Sequence, residues 1–286
     1  MKKLFEIELL KLRYSKSTKV VFIIYAAFTL LGLLAFQGAL TAADNSPITD
    51  AGEYSGFPAF NFPMVWYMVS WASTILIIFP AILAILHVAN EFSSKIHRQH
   101  VIDGLSKQEY VLSKFISVII ISAAFTIYTA LLAIIVALMA GSSSYPEELK
   151  SEAIKFFFGS TPPIMWLLGY FLYAVSILSF GTFISFLFRR TGRAIFFFLA
   201  YCGVLEWLMI WFFRKSEAVI DLLPVWSVAN NIFPNVRKIY KKTQDVAPEE
   251  VSRSLLEFDT TASFIAIIYI VIYFALSRWI FLKRDL

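Results

Sequence analysis

Charged residues are scarce in this sequence of 286 residues, and cysteine is almost absent. Charged side chains make up 16% of the chain against 59% hydrophobic ones, and the mean hydropathy is +0.71. A chain this apolar cannot cover itself with polar surface as a soluble domain does. The one cysteine, Cys202, excludes a disulfide within the chain. The composition therefore predicts a membrane protein without covalent bracing.

The sequence also lacks the glycine-rich loop that cradles the phosphates of ATP. No G-x-x-x-x-G-K-[ST] occurs, and none of the 11 glycines is followed by lysine. We therefore expect this chain to be no enzyme and to hold no cofactor of its own, so any energy for its work must come from elsewhere.

Two sparse histidine patterns offer weak alternatives. His97 and His100, with Glu91 nearby, could ligate a metal, but the i,i+3 spacing brings no fourth ligand and no H-E-x-x-H occurs. We expect ordinary polar surface there and no metal site. His87 is the one candidate base for an intramembrane hydrolase, and it lies at the edge of an apolar run, which disfavours that class of enzyme.

Long apolar runs are what the sequence has in abundance. Six runs reach the roughly 20 residues needed to cross about 30 Å of hydrocarbon. They are Val20–Leu40, Val65–Val88, Phe115–Ala140, Ile164–Phe188, Ala194–Phe213 and Ser263–Leu282. The predicted fold class is an all-α membrane protein with six transmembrane helices, forming a single domain over residues 1–286. Pro80 can kink the second span.

Basic residues favour one side of this arrangement. The N-terminal segment, the second and fourth loops and the C-terminal end together carry 16 of the 25 lysines and arginines. Because basic residues in short loops resist translocation, both termini are predicted to be cytoplasmic. The net charge of +5 mostly reports this bias, so we expect no nucleic-acid partner.

The N-terminal segment, residues 1–19, has two interpretations. A basic start followed by an apolar run could be a cleaved signal peptide, but both parts are long for one, which favours a first span that stays. The apolar residues of the segment follow two stripes: Phe5, Leu9 and Leu12, and Ile7, Leu10 and Tyr14. This pattern predicts an interfacial helix that touches lipid on one side and protein on the other.

The polar segment of residues 90–114, between the second and third spans, reads as two short helical pieces. Glu91 and Lys95 form an i,i+4 pair on a helix predicted to end at Gly104. Ser106 and Glu109 then have the spacing of a capping box, and Leu105 with Tyr110 has that of a hydrophobic staple. The 90–114 segment is therefore predicted to be a helix, a hard turn and a second helix that project from the bundle.

Three further features complete the chain. The turn of residues 189–193, RRTGR, is so short that spans four and five must be an antiparallel hairpin. Residues 214–262 form a long outer segment whose apolar part, Ala218–Asn235, is cut by prolines and predicted to be re-entrant. Glu206 lies midway along the fifth span, where a carboxylate facing lipid would cost roughly 2.5–3.5 kcal/mol. It is either a structural, hydrogen-bonded carboxyl or part of a transport path.

The organisation resembles that of ABC-2 type ABC transporter permeases. The resemblance covers the whole chain in architecture and is specific over the 90–114 segment, at Glu91, Gly104 to Lys107, Glu109-Tyr110 and Lys114. The apolar pieces before the last span resemble the outer re-entrant helical hairpin of that family. The sequence departs from the family at Ile102-Asp103, where a proline often precedes the turn.

The resemblance implies a permease subunit in a bacterial plasma membrane that exports an amphipathic or hydrophobic compound. A separate ABC ATPase subunit would hold ATP and Mg, and a second permease copy, identical or related, would complete the pump. The 90–114 segment would be the coupling helix that docks on the ATPase, with Phe92 and Ile96 as its apolar face. The implied docking residues are Glu91, Phe92, Lys95, Ile96, Arg98, Gly104, Ser106, Lys107 and Glu109, and Glu206 is the candidate for the transport path.

A stand-alone membrane carrier or assembly scaffold is the alternative function. A carrier needs several ionisable residues near the midplane of the membrane, and this chain offers only Glu206 there. The identity of the substrate is not indicated by any residue.

Overall fold

The computed structural model describes residues 2–44, 64–140, 162, 164–213, 222–223 and 260–283. Throughout these residues the regular structure is helical, and no strand occurs among them. The elements are α1 (Lys2–Tyr14), α2 (Lys16–Asp44), α3 (Met64–Ile75), α4 (Ile78–Ser93), α5 (Ile96–Ile102), α6 (Lys107–Ala140), α7 (Ile164–Phe188), α8 (Thr191–Ala200), a π-helical turn (Tyr201–Leu205), α9 (Glu206–Phe212) and α10 (Thr260–Lys283).

Five of the described helical stretches are long and apolar enough to cross a membrane, and a sixth crossing is available if the bent pair α3 and α4 counts as one span. The fold class predicted from the sequence is thus confirmed at this level, as an all-helical chain with five to six apolar helices able to span a membrane. One boundary differs: α6 begins at Lys107, so the third apolar run continues without a break from the polar segment before it.

The second span is broken where the sequence predicted a kink. Helices α3 and α4 meet at an angle of 51°. Pro80 is the third residue of α4, where its missing N–H costs no helical hydrogen bond. The Phe79 N–H bonds the Leu76 carbonyl at 3.1 Å instead, which closes a tighter turn across the break. The bend therefore follows directly from the proline.

Helix α7 is the centre of the bundle. Over the most apolar 18 residues of α7, 72% of the residues are buried. The corresponding fraction is 17% in α2 and 11% in the stretch from α8 to α9. Gly181 lets α4 approach closely, because a Cβ built there would lie 3.1 Å from Cγ1 of Ile85. The hydroxyls of Tyr25 and Tyr170, 2.8 Å apart, join α2 to the same central helix.

The outer re-entrant hairpin predicted at Ala218–Asn235 lies outside the described residues, apart from 222–223. There the Tyr269 hydroxyl of α10 donates a hydrogen bond to the Leu222 carbonyl. The rest of the 214–262 segment lies outside the described residues as well, apart from its last three residues, which open α10.

Candidate functional site

The 90–114 segment folds as two helices joined by a hard turn, although its first half differs from the prediction. Helix α4 ends at Ser93, and Lys95 takes a left-handed φ of 60° before α5 begins. The single helix predicted over residues 91–103 is therefore wrong: it is broken at residues 94–95. The Ser94 N–H and hydroxyl both still bond the Asn90 carbonyl, whereas the Lys95 N–H bonds the Phe92 carbonyl at 3.2 Å, three residues back, and this tighter turn ends α4.

The turn itself is as predicted. Gly104 has a φ of 97°, and the Leu105 N–H bonds the His100 carbonyl at 3.0 Å, as in a glycine-terminated helix end. The capping box is also confirmed. The Ser106 N–H donates to Oε2 of Glu109 at 2.9 Å, and the Glu109 N–H donates to Oγ of Ser106 at 3.2 Å. Leu105 packs on the apolar cluster that contains Tyr110, the residue predicted to be its partner in the staple.

Glu91 does not pair with Lys95 as the sequence predicted. Its carboxylate is buried, and it accepts hydrogen bonds from Lys114 Nζ at 2.7 Å, Lys11 Nζ at 3.1 Å and the Tyr110 hydroxyl at 2.9 Å. The break after Ser93 separates Glu91 from Lys95, which removes the helical i,i+4 geometry. Glu91 therefore holds the segment to the bundle from inside and is not a surface residue.

Phe92 also lies inside the protein, so the prediction that it forms an apolar docking face with Ile96 is wrong. Its side chain is 5% exposed, and its ring contacts those of Phe186 and Phe281 at centroid distances of 5.4 and 6.0 Å. Ile96 is 41% exposed, as expected, and Ile102 is 83% exposed. Among the described side chains of the segment, the large apolar ones that are exposed are therefore two isoleucines on α5, and the second of these was missed by the sequence reasoning.

The other predicted docking residues lie on the outside of the segment. Lys95, Arg98, Gly104, Ser106 and Glu109 are exposed, and Lys107 is half-buried at the start of α6. The structure thus places them on α5, the turns that flank it and the start of α6, whereas Glu91 and Phe92 hold this part of the chain to the bundle from inside.

A buried ionic network joins this segment to the N-terminal helix. Lys114, which is 0% exposed, places its Nζ 3.0 Å from Oε1 of Glu8 and 2.7 Å from Oε1 of Glu91. Lys11 reaches the same two carboxylates at 3.4 and 3.1 Å. We call this set the ionic network; its members are Glu8 and Lys11 of α1, His87 and Glu91 of α4, and Lys114 and Ser117 of α6. It ties three helices together at one end of the bundle.

Glu8 is the centre of the network. His87 Nε2 lies 2.7 Å from its Oε2, and the Ser117 hydroxyl donates to the same oxygen at 2.7 Å. Burial alone would raise the pKa of Glu8, but the hydrogen bond with His87 and the charges of Lys114, His87 and Lys11 together lower it well below its usual range. The carboxyl is therefore held ionised.

Lys11 and His100 extend the network to α5. Burial would lower the pKa of Lys11, but the carboxylates of Glu91 and Glu8 outweigh it and raise that pKa. Lys11 Nζ lies 3.0 Å from Nε2 of His100, which must accept because an ammonium can only donate. Burial and the charge of Lys11 both lower the pKa of His100. His100 is therefore held neutral beside a cation.

The sequence of α1 explains how Glu8 reaches the interior. Leu4, Glu8 and Leu12 follow one another at i+4 spacing and are all buried, whereas Phe5 and Leu9 on the adjacent face are exposed. The segment is helical as predicted, but its buried stripe contains a carboxylate. Neither Glu8 nor Ser117 was identified as a site residue from the sequence. The available signal for Glu8 was its position four residues after Leu4 and four before Leu12, on the same face of the helix.

The network could in principle offer metal ligands, because Glu8, His87 and Glu91 each present one donor atom within 4.8 Å of the others. Lys114 Nζ already bridges the two carboxylates, so an ammonium supplies the cation there. Ser117, His87 and Glu8 likewise do not form a nucleophilic triad. The serine and the carboxylate both contact Nε2 of His87, whereas a triad uses the two different ring nitrogens.

The turn at residues 189–193 lies against the 90–114 segment. The Thr191 hydroxyl donates to Oδ1 of Asn90 at 2.9 Å, and the Arg189 guanidinium lies 5.5 Å from the centre of the Phe92 ring. Helices α7 and α8 pack as neighbours on either side of this turn, which confirms the predicted hairpin. The basic turn and the protruding segment therefore belong to one surface of the molecule.

Glu206 is buried in an otherwise exposed span. Its side chain is 1% exposed, while Leu205 and Trp207 beside it face outward. In a regular helix the face that buries Phe198 would recur seven residues later, at Leu205; the π-helical turn at Tyr201–Leu205 shifts the inward position to Glu206. Tyr173, Tyr201, Tyr269 and Tyr273 interact electrostatically with this carboxyl. It therefore faces the bundle and not lipid.

No curated protein matches the sequence. The sequence profile of one family does match it, over residues 48–286, and that family is described as "Protein of unknown function (DUF2705)". The match spans most of the chain and includes the 90–114 segment, the basic turn and Glu206. On this match the chain belongs to the DUF2705 family.

Proposed function

We propose that this chain is the membrane-spanning permease subunit of an ABC exporter, which moves an amphipathic or hydrophobic compound out of the cytoplasm. A separate nucleotide-binding subunit hydrolyses the ATP. The observation that carries the proposal is the short helix and capped turn of the 90–114 segment, with Ile96 and Ile102 exposed at its surface.

The exposed isoleucines support a protein partner. A seven-residue helix gains little stability by itself, and two large apolar side chains facing water add none. Buried in a groove, Ile102 would contribute about 1.5–3 kcal/mol of hydrophobic free energy, and Ile96, which is only 41% exposed, would contribute less. The segment is therefore suited to be a small docking element whose apolar surface is covered by another subunit.

The ionic network supports a mechanical role for this element. Lys114 and Glu91 fix both helices that flank the protrusion, and Glu8 fixes α1 to the same point. Buried charges of this kind are costly to separate, so the three helix ends move together. A displacement of α5 by an ATPase would thus be transmitted to α4, α6 and α1 as one unit, and through α4 to the bend in the second span.

A partner that holds ATP, a second permease copy and a cytoplasmic location of both termini complete the proposed transporter. The chain has no ATP-binding loop, so ATP and Mg belong to the partner subunit. A second permease copy, identical or related, would complete a transport path between the two subunits, and symmetric pairs are the commonest assemblies. Both termini and the 90–114 segment would face the cytoplasm of a bacterial plasma membrane.

A stand-alone carrier is the second candidate, and the setting of Glu206 is the observation that favours it. A buried carboxyl beside four tyrosines could bind a proton or a cation in the middle of the membrane. Such a protein would transport without an ATPase and would leave the protrusion of the 90–114 segment unexplained.

Purification from native membranes under mild detergent tests the proposal. We expect a tagged chain to bring down an ABC ATPase subunit in equal molar amount, and the reconstituted complex to hydrolyse ATP faster when an exported compound is added. Transport by the purified chain in liposomes, driven by an ion gradient and without any ATPase, would instead establish the carrier.

A further inference from the structure

The basic turn between α7 and α8 lies on the same side as the protruding helix. The hydrogen bond from Thr191 to Asn90 joins it to the residue that precedes Glu91. Arg190 and Arg193 on the turn are exposed, as are Lys95 and Arg98 on the 90–114 segment. We call these four side chains the cationic surface.

These four charges are not neutralised by carboxylates nearby. Over the part of the chain that the structure describes, none of the four makes an ion pair. Of the acids in the 90–114 segment, Glu91 is buried in the ionic network and Glu109 is engaged in the capping box. Asp103 is exposed, at the far end of α5. Among the described residues, the surface therefore carries positive charges that no carboxylate pairs.

We propose that the cationic surface, together with Ile96 and Ile102, forms one docking surface for an acidic face of the ATPase subunit. The inference rests on the proposed function and adds the basic turn to the contact. It also names the chemistry of the partner face: carboxylates around an apolar groove. The isoleucines would enter the groove, and Lys95, Arg98, Arg190 and Arg193 would meet the acidic rim.

Charge complementarity and the exposed isoleucines favour a protein over anionic lipid headgroups. Ile96 and Ile102 are six residues apart, which is about 120° around a helix, so α5 has no single apolar stripe of the kind that inserts into lipid. A groove with an acidic rim could enclose both isoleucines and meet the charges as well. Because the attraction acts between exposed charges, its strength must fall as salt rises.

The test compares binding of the purified ATPase subunit to variants in nanodiscs of neutral lipid. We expect the double variant Arg190→Glu with Arg193→Glu to bind about tenfold more weakly or worse, with a smaller salt dependence than the wild type. The matched control makes the same charge change at Lys16→Glu with Lys19→Glu, which are exposed beyond α1 and away from the turn. It should bind as the wild type does.

The outcomes separate this inference from the proposed function. If Ile102→Asp abolishes binding while the turn variant binds normally, the basic turn is not part of the docking surface and the inference is wrong. If neither change weakens binding, the proposed function fails with it. A turn variant whose only defect is lost binding of vesicles that contain anionic lipid would assign the charges to lipid and overturn the inference.

Discussion

Lys114 and Glu8 are 106 positions apart in the sequence, yet the ammonium of one lies 3.0 Å from the carboxylate of the other in the buried interior. With Glu91 at 2.7 Å from the same nitrogen, the contact fixes the N-terminal helix and both flanks of the protruding segment to one point.

Replacing Lys114 with Met should destabilise the protein strongly. The change leaves Glu8 and Glu91 buried with only Lys11 between them, and breaking a buried pair costs about 3–5 kcal/mol. The matched control is Lys107→Met, at a half-buried position in the first turn of the same helix. Thermal unfolding in detergent measures both. Equal melting temperatures for Lys114→Met and Lys107→Met would mean that the ionic network does not hold the helices together.

The N-terminal helix should loosen in mild acid because of His100. Its pKa is lowered from the ordinary value of 6.5, so the folded state favours the neutral ring. The stability it contributes is present above pH 6.5 and is lost as the pH falls through the folded pKa, when a protonated ring faces Lys11. Hydrogen exchange of α1 at pH 7.5 and 5.5 measures the effect. The variant His100→Gln should lose part of this pH dependence, and an unchanged profile would contradict the assignment.

Lys95→Gly should raise the stability of the protein. A left-handed conformation destabilises a residue with a Cβ by roughly 1–2 kcal/mol. Glycine removes this strain but loses about 0.5–1 kcal/mol more in backbone entropy on folding. A net gain of up to about 1 kcal/mol is therefore expected. Lys95→Ala removes the same charge and keeps the strain, so it should show no gain. If Lys95→Gly melts at no higher temperature than Lys95→Ala, the backbone at this position is not strained.

Gly181→Leu should disturb the contact between α4 and α7. A Cβ alone would lie 3.1 Å from Cγ1 of Ile85, and overpacking of this kind costs about 1–3 kcal/mol. Gly203→Leu is the control, because nothing lies within 4 Å of a Cβ built there. Melting temperature and yield should fall for the first variant alone. A Gly181→Leu protein as stable as the wild type would show that the two helices are not packed this closely.

Glu206→Gln should preserve the fold and lower substrate-stimulated ATP hydrolysis by the complex. The amide keeps the shape of the carboxyl among the tyrosines and can still form hydrogen bonds, while the ability to bind and release a proton is lost. Unchanged transport and hydrolysis in this variant would assign Glu206 a structural role and remove it from the transport path.

Local signals in the sequence predicted local features well. The Gly104 turn, the capping box from Ser106 to Glu109 and the bend near Pro80 each depend on a few neighbouring residues, and each is present. The apolar runs likewise predicted the membrane helices, since length and hydropathy are properties of single segments.

Contacts between distant segments could not be read from the sequence. Glu91 was paired with Lys95 because i,i+4 spacing is the one partner a single helix offers, whereas the structure supplies Lys114 and Lys11. The i,i+4 spacing likewise predicted one shared face for Phe92 and Ile96, but the break at residues 94–95, which separates the two, leaves no clear sequence signal. The π-helical turn that rotates Glu206 into the bundle is equally hidden.

Binding of the ATPase subunit to Ile102→Asp tests the central claim most directly. The substitution places a charge where the account puts an apolar contact, and Ile102 is too exposed for the change to affect the fold. The control is Gln99→Asp, which adds the same charge at another exposed position of α5. We expect Ile102→Asp to lose the ATPase while Gln99→Asp retains most of it. Equal binding by the wild type and by Ile102→Asp would show that α5 does not dock through this side chain.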